Sequence, residues 1–167
     1  LLGVLDSTVT PMGKRLIRQW VSKPLINQDA IRIRQDAVEA LMNHGMLRTE
    51  VCHLMKALND IERLINRISG NMARPRDLEA LRSSLEHLPE IIRIIQPVAE
   101  AVFPVSGKIL PLREVLELLQ TAIADDPPAT LQNSGVIRRG YSAELDQIHD
   151  DSQHAREWIS NLENIEK

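Results

Sequence analysis

Hydrophobic residues recur along most of this chain at spacings of three and four, the period of an α-helix that buries one face. A first helix is predicted within residues 5–25, after a short extended lead-in, and its apolar face holds Leu16, Ile17 and Trp20. Thr10 suits the N-cap, and Pro11 suits the first helical position because its missing N–H has no partner there anyway. Pro24 predicts the end of the helix, since the residue before a proline disfavours the α region.

Three further helices are predicted before residue 71. Asn27 caps one that runs to about His44, with Gly45 as the residue after its end and a buried stripe of Ile31, Val38, Leu41 and Met42. The next runs from about Met46 to Leu58 and buries Leu47, Val51, Leu54, Met55 and Leu58. A short helix then begins at Asp60 and ends at Gly70, with acidic residues at the positive end of its dipole.

Pro75 predicts the start of a fifth helix. Its leucines recur at spacings of three, four and three, which indicates a core stripe that meets another helix (Leu78, Leu81, Leu85 and Leu88). The apolar segment 89–102 follows, and Pro97 is predicted to kink or split it by removing a backbone donor. A loop is predicted over 103–111, and the helical pattern resumes over 112–123.

The one long break in the helical pattern lies at 125–141. Two consecutive prolines exclude a helix there, and Gly135 and Gly140 bound a short extended piece. Ser142 then caps a final helix of about 25 residues, which corresponds to a rod of roughly 38 Å. The apolar seam of this helix is typical of a coiled coil with small residues at its middle (Leu145, Ile148, Ser152, Ala155, Ile159 and Leu162).

Composition agrees with one helical domain of ordinary size. The 167 residues are 43% hydrophobic but only 2% aromatic, so aliphatic residues must build the core, which favours helix over sheet. The formal net charge of −3 argues against a free-standing nucleic-acid binder. Charge is uneven, since residues 1–82 carry more basic than acidic residues and residues 125–167 carry the reverse.

The chain carries no sign of a secreted or membrane protein. Cys52 is the single cysteine, which excludes an internal disulfide and fits a reducing, cytoplasmic location. No apolar run approaches the roughly 20 residues of a membrane span, and no signal peptide is recognised. Because the chain lacks an initiator methionine and its final helix lacks a stop signal, we expect a piece of a longer protein.

Several short motifs occur in the order found in a known family. Residues 10–16 (TPMGKRL), with WV at 20–21 and PL at 24–25, resemble the T-x-M-G-x-R-L, W-L and P-L pattern that opens the core (lever) domain of MutS-type DNA mismatch repair proteins. DIERLINRI and ARPRDLEALRSSL resemble two further motifs of that family, as do the later DDPP, GVIRRG and ELD segments. The residues that carry the resemblance are Thr10, Met12, Gly13, Arg15, Trp20, Pro24, Asp60, Arg63, Pro75, Arg76, Asp77, Gly135, Gly140, Leu145 and Asp146.

The resemblance covers nearly the whole chain and implies an all-α fold. It implies a multi-helical core subdomain over 1–141 and, over 142–167, the start of an outgoing lever helix that stops before the DNA clamp. The implied parent protein is a homodimeric ATPase that uses ATP and Mg²⁺, recognises mismatched duplex DNA and recruits MutL. Within that parent, alongside its connector domain, this domain would link the clamp mechanically to the ATPase domain.

No catalytic constellation is recognised in this sequence. It holds no Walker A loop and no phenylalanine-x-glutamate mismatch reader, so no catalytic, cofactor-binding or metal-binding residue is assigned, and the fragment itself is not expected to be an enzyme. Two carboxylate-x-x-His pairs have the spacing of metal ligands, but both lie on one helix, which favours a solvated charged face (Asp146 with His149, Asp151 with His154). Arg138 and Arg139 could make a weak phosphate contact, although partner contact or solubility suits two arginines in a loop better.

Other notable residues are assigned structural roles. Trp20 and Trp158 occur at apolar helical spacing and are expected to be core or interface anchors. The pairs Asp60/Arg63 and Arg76/Asp77 are expected to cap helices and to form ion pairs between them. Cys52 is expected to be a small, half-buried thiol without special reactivity.

Two other classes of function remain open at this point. One is a helical protein-interaction module that docks MutL or a second MutS subunit, which requires an exposed apolar patch. The other is a small metal- or ligand-binding bundle enzyme, which requires inward-facing carboxylates and histidines on several helices.

Overall fold

The computed structural model describes residues 1–106, 110–132 and 134–165. Within these ranges the backbone is mainly helical, and the extended pairing found there is one isolated antiparallel bridge between Ile123 and Ile137. This confirms the all-α class. None of the described helices is both long and apolar enough to cross a membrane. The helices are α1 (Leu2–Leu5), α2 (Pro11–Ser22), α3 (Gln28–Asn43), α4 (Gly45–Met55), α5 (Ile61–Ser69), α6 (Pro75–Ile95), α7 (Ala99–Ser106), α8 (Arg113–Ala122) and α9 (Ala143–Ile165), with a 3₁₀ turn at Gln96–Val98.

Helix α6 passes through both hydrophobic clusters of the domain. Its first half packs with α5 and α8 around the buried residues Leu64, Leu81, Leu85, Leu119, Ala122 and Ile123. Its second half packs with α4 around Val51, Ile91, Ile94, Ile95 and Val98. Burying one large aliphatic side chain contributes about 1.5–3 kcal/mol, and α6 supplies such side chains to both clusters, so this helix joins them. The predicted leucine stripe of this helix is confirmed.

Local sequence signals start the helices as predicted. Thr10 Oγ1 accepts a hydrogen bond from the N–H of Gly13 at 3.0 Å, and Asn27 Oδ1 accepts one from the N–H of Ala30 at 2.9 Å. A Cβ at position 13 would lie 3.1 Å from Thr10 Oγ1, so the close approach of this cap favours glycine. Pro11 is the first residue of α2. The helix ends at Ser22, directly before Lys23 and Pro24, where its end was predicted.

The prolines of the apolar segment behave differently from one another. Pro97 lies in the 3₁₀ turn that separates α6 from α7, which confirms the predicted split. Pro89 lies inside α6, which continues because burial of the isoleucines after it outweighs the roughly 3 kcal/mol that an internal proline costs. The loop predicted over 103–111 is wrong at its start, since α7 runs through Phe103 and Pro104 to Ser106, and Phe103 packs on the second cluster. Residues 107–109 lie outside the described ranges.

The predicted buried stripe of α3 is wrong at two positions. Val38 and Met42 are exposed, whereas Ala37 is buried, because α3 packs on α4 and α7 through a neighbouring face. Gly45 does not act as a left-handed helix end; it is the first residue of α4 and has no positive φ. Helix α4 ends at Met55, earlier than predicted, because the residues up to Leu58 form tighter i→i−3 turns.

Helices α2 and α9 are the most exposed of the long helices. None of the residues of α2 is fully buried, and Leu16, which was predicted on its apolar face, is exposed. In α9 every described side chain from 151 to 161 is exposed. Trp158 has 65% of its surface exposed, so it is not a core anchor within this domain.

Candidate functional site at the base of the final helix

The loop between α8 and α9 is tied to the body of the domain by a short backbone bridge. The N–H of Arg138 donates to the carbonyl of Ala122 at 2.8 Å, and the N–H of Ala124 donates to that of Val136 at 3.1 Å. The two terminal nitrogens of Arg138 also donate to the carboxylate of Asp125, from Nη2 to Oδ1 at 2.6 Å and from Nη1 to Oδ2 at 3.1 Å. Hydrogen bonding from Arg138 lowers the pKa of Asp125, and the same contact raises the pKa of Arg138. The extended piece predicted here therefore pairs with the end of α8.

Arg82 fixes the end of α8 from the body side. Its side chain lies on α6 and is buried, and its Nη1 donates to the carbonyl oxygen of Ile123 at 3.0 Å. Asp125 is 3.4 Å from the same nitrogen but is largely exposed, so that ion pair contributes little. Sequence reasoning did not single out Arg82. The sequence feature that could have identified it is its position on the same helical face as Leu78 and Leu85, because a charged residue on a buried face needs a buried partner.

A first polar junction joins the loop to the base of α9 through three contacts. Ser142 Oγ accepts from the N–H of Leu145 at 3.3 Å, as the predicted cap requires. The N–H of Gly140 donates to Asp146 Oδ2 at 2.8 Å, and Gly140 adopts a φ of +87°, which favours glycine. Arg139 Nη2 binds Asp150 Oδ1 at 2.7 Å. All three contacts lie in the first two turns of the helix.

The continuously exposed part of α9 begins at Asp151. The described side chains from 151 to 161 are exposed, and the apolar seam that was predicted for α9 lies in solvent at Ile148 and Ile159. Leu162, the last residue of that seam, lies outside the described side chains. Helix α9 is thus a rod that is fixed at one end.

A second polar junction joins α2 to the start of α5. Arg15 binds both carboxylate oxygens of Asp60 at 2.7 Å and also binds Glu62, whose Oε2 lies 3.0 Å from Arg15 Nε. Asp60 also caps α5 by accepting from the N–H of Arg63 at 3.3 Å. The hydrogen bond from Arg15 lowers the pKa of Asp60, and the two carboxylates raise that of Arg15. The structure thereby brings together two of the sequence motifs, 45 residues apart.

A third junction joins the end of α5 to the start of α6. Asp77 is buried, and its Oδ1 accepts from Arg67 Nη1 at 2.6 Å. Its other oxygen accepts from the backbone N–H of Arg74 at 2.9 Å, which satisfies a free donor at the start of α6 beside the buried Pro75. Asp77 thus has the expected capping and helix-to-helix contacts, whereas Arg76 is exposed and has no ion pair among the described residues.

The remaining motif residues lie apart from these junctions. Trp20 stacks on the guanidinium of Arg34, whose Cζ lies 3.7 Å from the ring centroid. Trp20 and Pro24 line an open apolar groove of about 780 Å³, together with the exposed Val38 and Met42. Met12 and Gly13 are half-buried at the start of α2.

The aspartates of the two carboxylate-x-x-His pairs bind groups other than a histidine. Asp146 accepts from Gly140, and Asp151 accepts from the side chain of Gln147 at 2.9 Å. Among the residues that the structure describes, no group of three or more His, Cys, Asp or Glu residues is placed to hold a metal ion.

Comparison with known proteins identifies the family. The family model described as MutS domain III matches residues 1–167. The chain is 41% identical over 170 residues to the DNA mismatch repair protein MutS of Methanothrix thermoacetophila, which covers 100% of this chain and 20% of that protein. It is 38% identical over 168 residues to the MutS of Halothermothrix orenii, covering 100% of this chain and 19% of that protein. The chain thus spans about a fifth of the length of these relatives. It belongs to the MutS domain III family.

Proposed function

We propose that this domain mechanically links the DNA clamp to the ATPase domain of a MutS-type mismatch repair protein. In this proposal the full-length protein is a homodimer that binds mismatched duplex DNA, uses ATP and Mg²⁺, and recruits MutL. The domain contributes no catalytic residue. Its own part is to transmit displacement along α9 between domains that lie outside this chain.

The observation that carries the proposal is the contrast between the two ends of α9. Its first two turns are held to the loop through Ser142, Asp146 and Asp150, and the loop is held to α6 and α8 through Arg82 and Arg138. Its described side chains from 151 to 161 are exposed. A rigid rod with one fixed end transmits rotation of its base to its far end, and packed or hydrogen-bonded elements can carry such coupling between distant sites.

A kink at the point where α9 leaves the body tests the proposal. Asp151→Pro in the full-length protein removes one backbone hydrogen bond and its ring clashes with the preceding turn, which bends the helix. Asp151→Ala is the matched control, because alanine keeps the helix straight and removes the same carboxylate. We expect Asp151→Pro to lose the mismatch-dependent change in ATPase rate while keeping basal ATPase activity, and Asp151→Ala to behave like the wild type. Equal coupling in both variants would contradict the mechanical role.

The second candidate function is a docking surface for MutL or for a second MutS subunit. It is favoured by the open apolar groove between α2 and α3, where Val38 and Met42 are exposed. The substitution pair Val38→Glu and Met42→Glu tests it in the full-length protein. Loss of MutL binding or of dimerisation with unchanged mismatch-dependent ATPase coupling would favour the docking function over the mechanical one.

A further inference from the structure

A polar cavity of about 310 Å³, here called the loop–helix pocket, lies between the loop before α9 and one face of α9. The helix supplies four lining residues whose spacings of three, one and three place them on one face (His149, Ser152, Gln153 and Arg156). The loop supplies the opposite wall, which includes Ser134, Ile137 and Arg139. Small-ligand sites have volumes of about 300–1,000 Å³, so this pocket is large enough for a small ligand or a single ligand group.

The lining of the loop–helix pocket is cationic. Arg139 lies on one wall and Arg156 on the other, and no carboxylate is among the lining residues that the structure describes. Arg156 has no ion pair or hydrogen bond within the described chain, and neither has the half-buried imidazole of His149. Arg139 is held in place by one bond to Asp150, which leaves further guanidinium N–H groups for another acceptor.

The carboxylates near the loop–helix pocket already have partners. Asp150 binds Arg139, Asp146 accepts from the backbone of Gly140, and Glu157 accepts from Gln153 at 3.0 Å. The charge of Asp150 is therefore balanced by a cation, whereas Asp146 and Glu157 bind neutral groups and lie outside the lining. The two serines of the lining add hydroxyl donors to the two guanidinium groups.

We propose that the loop–helix pocket binds a phosphate group. Arginines bind tetrahedral oxyanions through paired N–H donors, and two arginines on opposite walls can contact different oxygens of one phosphate. The two loop arginines also differ in position. Arg138 binds Asp125 and is not part of the pocket lining, whereas Arg139 lines the pocket. The phosphate can come from a DNA backbone or from a free phosphate or nucleotide, because the chemistry is the same. This site does not depend on the mechanical role proposed for α9.

Methyl NMR of the full-length protein tests the phosphate site. Ile137 lines the pocket, and Ile159 lies farther along α9 as an internal reference. At constant ionic strength, we expect inorganic phosphate to shift the Ile137 methyl signal in a saturable way and to leave Ile159 unchanged. Arg156→Gln should weaken the apparent affinity about tenfold or more, because a charge-assisted hydrogen bond is lost. Arg113→Gln, at an exposed arginine outside the pocket, is the matched control and should leave the affinity unchanged.

Further titrations identify the source of the phosphate. An Arg156-dependent shift of Ile137 with a short DNA duplex indicates a backbone phosphate, whereas one with inorganic phosphate or ADP alone indicates a free phosphate; either result supports the pocket. No saturable shift of Ile137 with any of the three, or equal shifts in the wild type and Arg156→Gln, would overturn the proposal. Because the readout is local to the pocket, this outcome is distinguishable from failure of the Asp151→Pro experiment.

Discussion

Replacing Arg82 by methionine should destabilise the domain by about 2–3 kcal/mol, because it removes a buried charged donor. Arg82 has 7% of its surface exposed, and its Nη1 donates to the carbonyl oxygen of Ile123 at 3.0 Å. Ile123 is itself buried, so its carbonyl would lose this donor in a place that water reaches poorly. Methionine keeps most of the aliphatic stem and its packing, which separates the loss of the hydrogen bond from the creation of a cavity. The neighbouring Asp125 adds little to this figure, since its side chain is 78% exposed.

Urea-induced unfolding followed by far-UV circular dichroism measures this effect. Arg93→Met is the matched control, because Arg93 lies on the same helix but is exposed, and it binds Glu90 one turn away. We expect this control to change the free energy of unfolding by no more than about 0.5 kcal/mol. An Arg82→Met variant as stable as Arg93→Met would refute the argument that Arg82 stabilises the end of α8. Arg82→Ala should cost more than Arg82→Met, since it also leaves a cavity.

Three further predictions concern the caps, the ion pairs and the long helix. Because Arg15 lowers the pKa of Asp60 below its ordinary value of 3.8, the stability from this pair is present above that value and is lost as pH falls through the folded-state pKa. Acid titration of unfolding should therefore show a smaller loss below about pH 4 in Asp60→Asn than in the wild type, and equal losses would contradict the pairing. Thr10→Ala should lower the urea-derived free energy of unfolding by about 1 kcal/mol, whereas Thr8→Ala, which removes an exposed hydroxyl, should change it by less than about 0.5 kcal/mol. Trp158→Ala should leave thermal stability nearly unchanged, within about 0.5 kcal/mol; a loss of several kcal/mol would mean that α9 packs on the body.

Three ion pairs connect helix ends to neighbouring elements of the domain. Each one ties the start or end of a helix to a neighbouring element: Arg15 with Asp60, Arg67 with Asp77, and Arg139 with Asp150. The bidentate pair of Arg15 with Asp60 and the pair of Arg67 with the buried Asp77 fix helix ends more firmly than the single, exposed pair of Arg139 with Asp150 does.

The sequence by itself determined the features whose physical cause is local. Thr10 and Asn27 cap their helices because a side-chain oxygen reaches an N–H three residues away, whatever the rest of the chain does. The leucine spacing of α6 determined its buried face, since helical period alone places those residues together. The ordered motifs likewise gave the family, which the match over the whole chain confirmed.

Only the tertiary structure decided the features that depend on which elements meet. The face of α3 that is buried is set by the positions of α4 and α7, so Val38 and Met42 were wrongly expected inside. Arg82 finds its acceptor 41 residues away, a distance over which neither propensity nor period carries information. The same holds for the two loop arginines, because Arg138 binds Asp125, 13 residues away, and Arg139 binds Asp150, 11 residues away.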